Sequence, residues 1–196
     1  MDLEVRRQVT HALGILTILV IQIFGRFISA ILVGILIIFL TLLGYYRLNR
    51  ERLSKYKLKV LDEIEEMLEK EIKGFERGRE FPFHGAIMFY IGAFIAIVLF
   101  PEFASSAAIA VLALGDSMST LVGKRYGKYK LLFNKNKTIE GSLAFLVTAF
   151  IVLIFFTNPV NALAVALIAM FVEALPKLSD NLTIPIAVGL LMVLTI

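Results

Sequence analysis

The chain has 196 residues, 59% of them hydrophobic, and its mean hydropathy of +0.84 lies far above that of a soluble globular domain. It contains no cysteine, which excludes disulfide bonds and thiolate metal sites. The net charge of +4 comes from basic residues that flank apolar runs, so the pattern favours a membrane protein and argues against a nucleic-acid partner.

Seven apolar segments predict an all-α, polytopic integral membrane protein with about seven transmembrane helices in a single domain, residues 1–196. The segments are Ala12–Phe24, Phe27–Tyr46, Phe83–Phe100, Ala104–Val122, Ser142–Phe156, Val160–Leu175 and Ile184–Ile196. Several are shorter than the roughly 20 residues that cross a bilayer, and the last either ends within the lipid or re-enters. The N-terminal "MDLEVRRQVTH" has no small-residue cleavage site after it, so we expect it to be retained.

The basic residues sort onto one side of this topology. If the segments alternate, 19 of the 20 lysines and arginines fall on the side of the N-terminus and of segments 47–82, 124–141 and 176–183. Only Arg26 falls on the other side. The positive-inside rule makes the crowded side cytoplasmic, which predicts a cell-membrane protein with its C-terminus outside.

The cytoplasmic linker, residues 47–82, contains an amphipathic helix. Its apolar residues recur at helical spacing opposite a charged face, at Leu61, Ile64, Leu68, Ile72 and Phe75. We interpret it as a solvated or interfacial helix. A substrate-binding role, or a dimerising role that would make a homodimer, stays open.

Acidic residues become rare after Glu80 and stand at the ends of the predicted spans. They are Glu102, Asp116, Glu140, Glu173 and Asp180, and all but Glu102 lie on the cytoplasmic side. A carboxylate inside a span costs ~2.5–3.5 kcal/mol on insertion scales and is rare unless functional. Asp116 precedes the basic loop by seven residues, so it should lie about two helical turns inside the interface. The structural alternative is a hydrogen bond to a neighbouring helix, helped by Ser117, Ser119 and Thr120.

The stretch 113–142 combines these acids with a basic, glycine-bearing loop. Carboxylates hold Mg²⁺, and lysine and arginine neutralise phosphate oxygens. Gly123, Gly127 and Gly141 would let backbone amides approach an anion, and Thr138 and Ser142 stand where the fifth helix should begin. The sequence has no GxxxxGK[ST] loop, so the acids and glycines carry the prediction of a metal–nucleotide site.

Four motifs resemble those of the dolichol kinase/phytol kinase family of integral-membrane, CTP-dependent polyprenol kinases. They are "GDSMSTLVGKRYGK", "KTIEGS", "EALPKLSDNLTIP" and the N-terminal "RRQVTHALG". The GDS and KT-EGS pairing is shared with the related CDP-diacylglycerol synthases. Those enzymes end in a longer "HGG…DRxD"-like signature, whereas this chain has "SDNLTIP", which favours the kinase branch.

The resemblance implies Mg²⁺-assisted phosphoryl transfer from CTP to the hydroxyl of an isoprenoid or other lipid alcohol (dolichol, polyprenol or phytol-like). The implied nucleotide-binding residues are Ser117, Ser119, Gly123, Lys124, Arg125, Gly127, Lys128, Lys137, Thr138, Glu140, Gly141, Ser142 and Asn181. The candidate metal ligands are Asp116, Glu140, Glu173 and Asp180. The candidate catalytic residues are Asp116, Asp180 and His11, with Asp180 or His11 as acceptor of the alcohol proton. For His11, a polar contact at a helix end is the structural alternative.

Two other functions stay open from the sequence. A CDP-lipid synthase (a cytidylyltransferase) would release pyrophosphate, whereas a kinase releases CDP. A non-enzymatic carrier would use the carboxylates as ion sites. Transporters place polar groups near the bilayer midplane, whereas here the ionisable groups crowd one face, which counts against transport.

Overall fold

The computed structural model describes residues 3–49, 81–176 and 179–195, and the regular elements in these ranges are helices. In chain order they are α1 (Leu3–Ala12), a 3₁₀ turn (Leu13–Ile15), α2 (Leu16–Leu48), α3 (His84–Leu99), α4 (Glu102–Ala110), a π-helical segment (Val111–Asp116), α5 (Ser117–Tyr126), α6 (Ile139–Leu153), α7 (Pro159–Ala174) and α8 (Asp180–Leu194). The all-α prediction is confirmed. The predicted linker helix lies outside the described residues.

The N-terminal helical stretch is divided at Gly25. Glu4–Leu48 comprises 45 residues, which in a straight helix would measure ~68 Å, about twice the ~30 Å hydrocarbon core of a bilayer. Gly25 has φ 73° and ψ 167°, a conformation that glycine adopts readily because it has no side chain. Ser29 Oγ lies 3.0 Å from the Val20 carbonyl and 2.8 Å from the Gly25 carbonyl, so its hydroxyl satisfies acceptors near the break. The break coincides with the boundary predicted between the first two spans.

Two long apolar helical stretches, four shorter apolar helices and a largely apolar surface fit a membrane protein. Two stretches, Glu4–Leu48 and Glu102–Tyr126, are long and apolar enough to cross a membrane, and α3, α6, α7 and α8 are shorter apolar helices. Large apolar side chains such as Phe27 and Phe155 point outward, with 79% and 81% of their surface exposed. Such wide apolar exposure suits a lipid environment. Every predicted span overlaps one of these helices or one half of α2, and a topology of seven spans stays a prediction.

The core of the bundle is built around α4 and the π-helical segment. Ala104, Ala107 and Ala108 are fully buried, and the apolar residues of the following turn are equally inaccessible. Small side chains let helix backbones approach closely, as is usual in membrane bundles. This central position brings the end of the π-helical segment, Asp116, into the middle of the surrounding helices.

Hydrogen bonds pair segments that the sequence assigns to the same side. The Arg26 guanidinium donates to the Phe100 carbonyl at 2.8 Å, which joins two turns predicted to be outside. The Asn161 amide donates to the Thr195 carbonyl at 2.8 Å, which joins another outer turn to the C-terminal end of α8. Both hydrogen bonds therefore join segments that the predicted topology places on the outer side.

The predicted topology can be measured with single cysteines, because the natural chain has none. We expect Lys130→Cys to react with a membrane-impermeant maleimide only after the membrane is permeabilised. We expect Thr157→Cys, in the turn at the opposite end, to react in intact cells. Labelling of both cysteines from the same side would contradict the seven-span model.

A close helix contact sets the position of the start of α8. A Cβ atom at Gly92, on α3, would lie 1.8 Å from the Asn181 carbonyl oxygen, so only glycine fits there without moving the backbone. Asn181 follows Asp180, the first residue of α8. The contact between α3 and α8 thereby determines where the Asp180 carboxylate lies.

Candidate active site

Residues from distant parts of the chain converge at the end of the bundle predicted to face the cytoplasm. They are His11 at the end of α1, Asp116 at the end of the π-helical segment, Lys137 in the loop before α6, Glu173 near the end of α7 and Asp180 at the start of α8. Carboxylate oxygens of the three acids all lie within 4.8 Å of one another. We call Asp116, Glu173 and Asp180 the carboxylate cluster.

Among the described residues, Lys137 contacts this cluster through its ammonium group. Its ammonium donates to Asp180 Oδ2 at 2.7 Å and to Glu173 Oε1. Glu173 is fully buried, and its Oε1 also accepts a hydrogen bond from Ser119 Oγ at 2.7 Å. Burial lowers the pKa of Lys137, but the carboxylates of Glu173, Asp180 and Asp116 outweigh that effect and raise it above its usual value. The ammonium therefore remains charged.

The widened turn before α5 places Asp116. The π-helical segment Val111–Asp116 adds a residue to the turn, which changes the direction in which the following side chains point. The Asp116 side chain is 16% exposed, and its Oδ2 lies 3.5 Å from His11 Nε2. Such segments occur frequently at functional sites. The hydropathy of this stretch does not predict the π-helical segment.

His11 lies at the edge of the carboxylate cluster. Its ring packs edge-on against Phe89, with 4.9 Å between the ring centroids, and it hydrogen-bonds the backbone of Leu112 in the π-helical segment. Nε2 is buried and has no hydrogen-bond partner. The structure therefore places this nitrogen beside Asp116 with its bonding capacity unused.

Two residues of this site, His11 and Glu173, carry buried polar atoms without a hydrogen-bond partner. Within the described ranges such atoms are His11 Nε2, Ser142 Oγ, Glu173 Oε2 and Asn181 Oδ1. An unsatisfied buried group costs about 1–3 kcal/mol, so such atoms indicate a place for a ligand. Three converging carboxylates, one with a free buried oxygen, form the all-oxygen donor set that Mg²⁺ prefers. The residues present therefore fit a divalent cation held by Asp116, Glu173 and Asp180.

Glu140, the fourth predicted metal ligand, lies outside the carboxylate cluster. Its carboxylate accepts hydrogen bonds from the backbone amides of Lys128 at 3.0 Å and Tyr129 at 3.3 Å. Thr138 caps α6, because its Oγ1 accepts from the Gly141 amide at 3.2 Å. In the structure both side chains hold the 127–138 loop against the start of α6.

The glycines of the loop region bring α5 and α6 together. A Cβ atom at Gly127 would lie 2.2 Å from the Gly123 carbonyl oxygen, and one at Gly141 would lie 2.9 Å from the Ser119 carbonyl oxygen. The Gly127 amide already donates to the Gly123 carbonyl at 3.1 Å. In the structure these glycines allow close packing of the backbone, a role that the sequence did not predict.

The remaining predicted nucleotide-binding residues lie in three places. Lys124 pairs with Glu4 of α1 at 2.7 Å, and Ser117 Oγ donates to the Ala113 carbonyl at 2.7 Å. Asn181 follows Asp180 of the cluster, and Ser142 lies in the first turn of α6 with its Oγ buried. A separate open crevice of about 440 Å³ is lined by Arg125, Tyr126, Gly127, Lys128 and Glu140. Part of the predicted set therefore lies at the carboxylate cluster, part lies in the basic crevice, and Lys124 and Ser117 bond other helical residues.

The chain is similar to several known proteins. An uncharacterized protein of Methanocaldococcus jannaschii is 31% identical over 196 residues, which cover 95% of this chain and 91% of that protein. A probable chloroplastic phytol kinase 3 of Glycine max is 36% identical over 99 residues, 42% of this chain and 31% of that one. CTP-dependent diacylglycerol kinase 1 of Schizosaccharomyces pombe is 30% identical over 130 residues, 57% of this chain and 60% of the yeast protein. No protein-family model and no solved structure matches the chain.

Proposed function

Since the chain belongs to the dolichol kinase/phytol kinase family, we propose that it is a CTP-dependent lipid kinase that phosphorylates the hydroxyl of an isoprenoid or other lipid alcohol. The observation that carries the proposal is the carboxylate cluster with Lys137 at one end of an apolar helix bundle. Acids and a cation placed together in this way suit a metal–triphosphate. The chain spans 31% and 60% of the two named kinases above, so its activity, donor and acceptor all belong to the proposal.

Catalysis of phosphoryl transfer depends chiefly on positioning of the substrates and on neutralisation of the phosphate charges. When bound, Mg²⁺ supplies positive charge at the triphosphate, and Asp116, Glu173 and Asp180 are the residues that would hold it. Lys137, in the loop before α6, is a candidate for a further positive charge at a phosphate oxygen. Arg125 and Lys128, in the basic crevice, are the candidates for the remaining phosphates.

The reaction also needs an acceptor for the proton of the alcohol. The alcohol oxygen forms a bond to the γ-phosphorus, the bond from phosphorus to the β–γ bridging oxygen breaks, and CDP leaves. Asp180 Oδ2 already accepts a hydrogen bond from Lys137, whereas His11 Nε2 has no partner. This difference favours His11 over Asp180 as the proton acceptor.

The proposed membrane arrangement suits both substrates. CTP reaches the carboxylate cluster from the cytoplasm, while the long apolar alcohol lies between helices with its hydroxyl at the interface. The exposed apolar faces of the helices provide the lipid contact that such a tail requires. The cytoplasmic orientation, the outside C-terminus and a homodimer through the linker helix are parts of this proposal.

The test is a product analysis. Purified protein is incubated with Mg²⁺, each of the four nucleoside triphosphates and a panel of lipid alcohols that includes phytol, geranylgeraniol, dolichol and diacylglycerol. We expect a phosphorylated alcohol and CDP, with CTP as the preferred donor. Formation of a CDP-lipid with release of pyrophosphate from a lipid phosphate would instead identify a cytidylyltransferase.

A further inference from the structure

Lys137 contacts the carboxylate oxygens at the place where a metal ion would be bound. Its ammonium bonds Glu173 and Asp180, two of the three acids that lie within 4.8 Å of one another. We infer that Lys137 and the divalent cation compete for the carboxylate cluster, and that the metal–nucleotide releases Lys137 from the acids to a phosphate oxygen. The phosphate step rests on the proposed function, whereas the competition with the metal does not.

Two positive groups cannot share these oxygens without strong repulsion. Mg²⁺ sits about 2.0–2.1 Å from its oxygen ligands, whereas the Lys137 nitrogen lies 2.7 Å from Asp180 Oδ2. An ion ligated by the Glu173 and Asp180 carboxylates would therefore lie within a few ångströms of the ammonium. Burial of Glu173 keeps water from screening the repulsion between them. Lys137 consequently weakens metal binding as long as it stays on the acids.

The side chain of Lys137 can move while its backbone stays in place. The Lys137 amide donates to the Asn134 carbonyl at 3.0 Å, and the Lys137 carbonyl accepts from the Leu131 amide at 3.1 Å. Glu140 holds the start of the same loop. The lysine side chain has a flexible four-carbon stem and is 21% exposed, so rotamer changes alone can carry the ammonium from the acids toward solvent.

A purely structural lysine predicts the opposite result. If Lys137 only neutralised the acids so that they could be buried, its removal would disorder the carboxylate cluster and weaken metal binding. Competition instead predicts tighter metal binding when the ammonium is removed. The direction of the change in metal affinity therefore separates the two roles.

The experiment measures Mn²⁺ binding, by electron paramagnetic resonance of the free ion, to purified full-length protein without nucleotide or lipid. We expect Lys137→Met to bind Mn²⁺ about tenfold more tightly than the natural protein. The matched control is Lys135→Met, which removes the same charge from an exposed position of the same loop and should change the affinity less than about twofold. Mn²⁺ should also raise the melting temperature of Lys137→Met more than that of the natural protein.

Equal or weaker Mn²⁺ binding by Lys137→Met would overturn the inference, as would an equal gain in Lys135→Met. If Lys137→Met does not fold, Lys137→Gln removes the charge but keeps a hydrogen-bond donor, and the same direction of change in Mn²⁺ affinity is expected.

Equilibrium binding of CTP with saturating Mg²⁺ tests the second step, in which Lys137 moves to a phosphate oxygen. Lys137→Met should weaken CTP binding about tenfold. The Mn²⁺ titration contains no substrate. Failure to detect kinase activity would therefore contradict the proposed function but not the competition between Lys137 and the divalent cation. If the natural protein is an active kinase but Lys137→Met leaves the Mn²⁺ affinity unchanged, the competition is wrong and the proposed function stands.

Discussion

Replacing Asp116 by asparagine is expected to lower kcat/KM for lipid phosphorylation at least about 100-fold without impairing insertion or folding. Asp116 is one of three acids whose oxygens lie within 4.8 Å of one another, and an amide at this position keeps the shape but removes the charge of a proposed metal ligand. Loss of even an outer-shell partner commonly costs about 10- to 100-fold in metal affinity or activity, so a ligand should cost more. Removing a charge from a span also lowers its insertion cost.

The measurements are the rate of product formation, the amount of protein in the membrane and the melting temperature in detergent. Glu102→Gln is the matched control, because it neutralises an exposed acid at the start of α4, at the other end of the α4–α5 helical stretch from the basic loop. It should leave all three quantities unchanged. An Asp116→Asn enzyme with near-normal turnover would show that this acid serves the structure, through contacts such as the one with His11.

Replacing Glu173 by alanine is expected to have the largest effect on stability. Glu173 is fully buried, and its Oε1 accepts hydrogen bonds from Ser119 and Lys137. Removing one partner of a buried ion pair typically costs about 3–5 kcal/mol, because the other charge is left without compensation. Asp180 still pairs with Lys137, so we expect about 3 kcal/mol and a fall in melting temperature of roughly 6–12 °C.

A double-mutant cycle shows how much of this loss comes from the ion pair. Removing both partners leaves no ammonium that has lost one of its two carboxylates, so Glu173→Ala combined with Lys137→Met should be more stable than the sum of the single effects predicts. Glu102→Ala, an exposed change of the same type, should shift the melting temperature little. Strict additivity, or a Glu173→Ala variant as stable as Glu102→Ala, would show that the pair contributes nothing to stability.

The acids of the candidate site were predictable because each one is an ionisable residue in or beside an apolar run. Asp116, Glu173 and Asp180 interrupt or border apolar runs, and an ionisable group in such a place is costly. Glu140 was predicted as a metal ligand together with these acids, since its motif resembles that of a nucleotide-binding element. The sequence could not separate the four, because each is a carboxylate at a span end. The structure separates them by helix packing, which brings three of them together and turns Glu140 toward the amides of its own loop.

The contacts of Lys137 could not be predicted from the sequence for a similar reason. The sequence grouped it with Lys124 and Arg125 as basic residues near glycine, and nothing local distinguishes the three. In the structure Lys124 contacts α1, Arg125 stacks over Tyr126 and Lys137 contacts the cluster. Contacts between residues that lie tens of positions apart depend on how the helices cross.

The sequence by itself determined the all-α class, the positions of the apolar helices and the boundary between the first two apolar segments, because hydropathy is a property of each local stretch. It also determined which end of the bundle carries the acids. Only the tertiary structure decided that a π-helical segment precedes Asp116, that Gly92 lets α3 reach the start of α8, and that Lys137 lies on the carboxylates. These three features arise from close packing between helices distant in the chain, and the free energy of that packing is not encoded in any single segment.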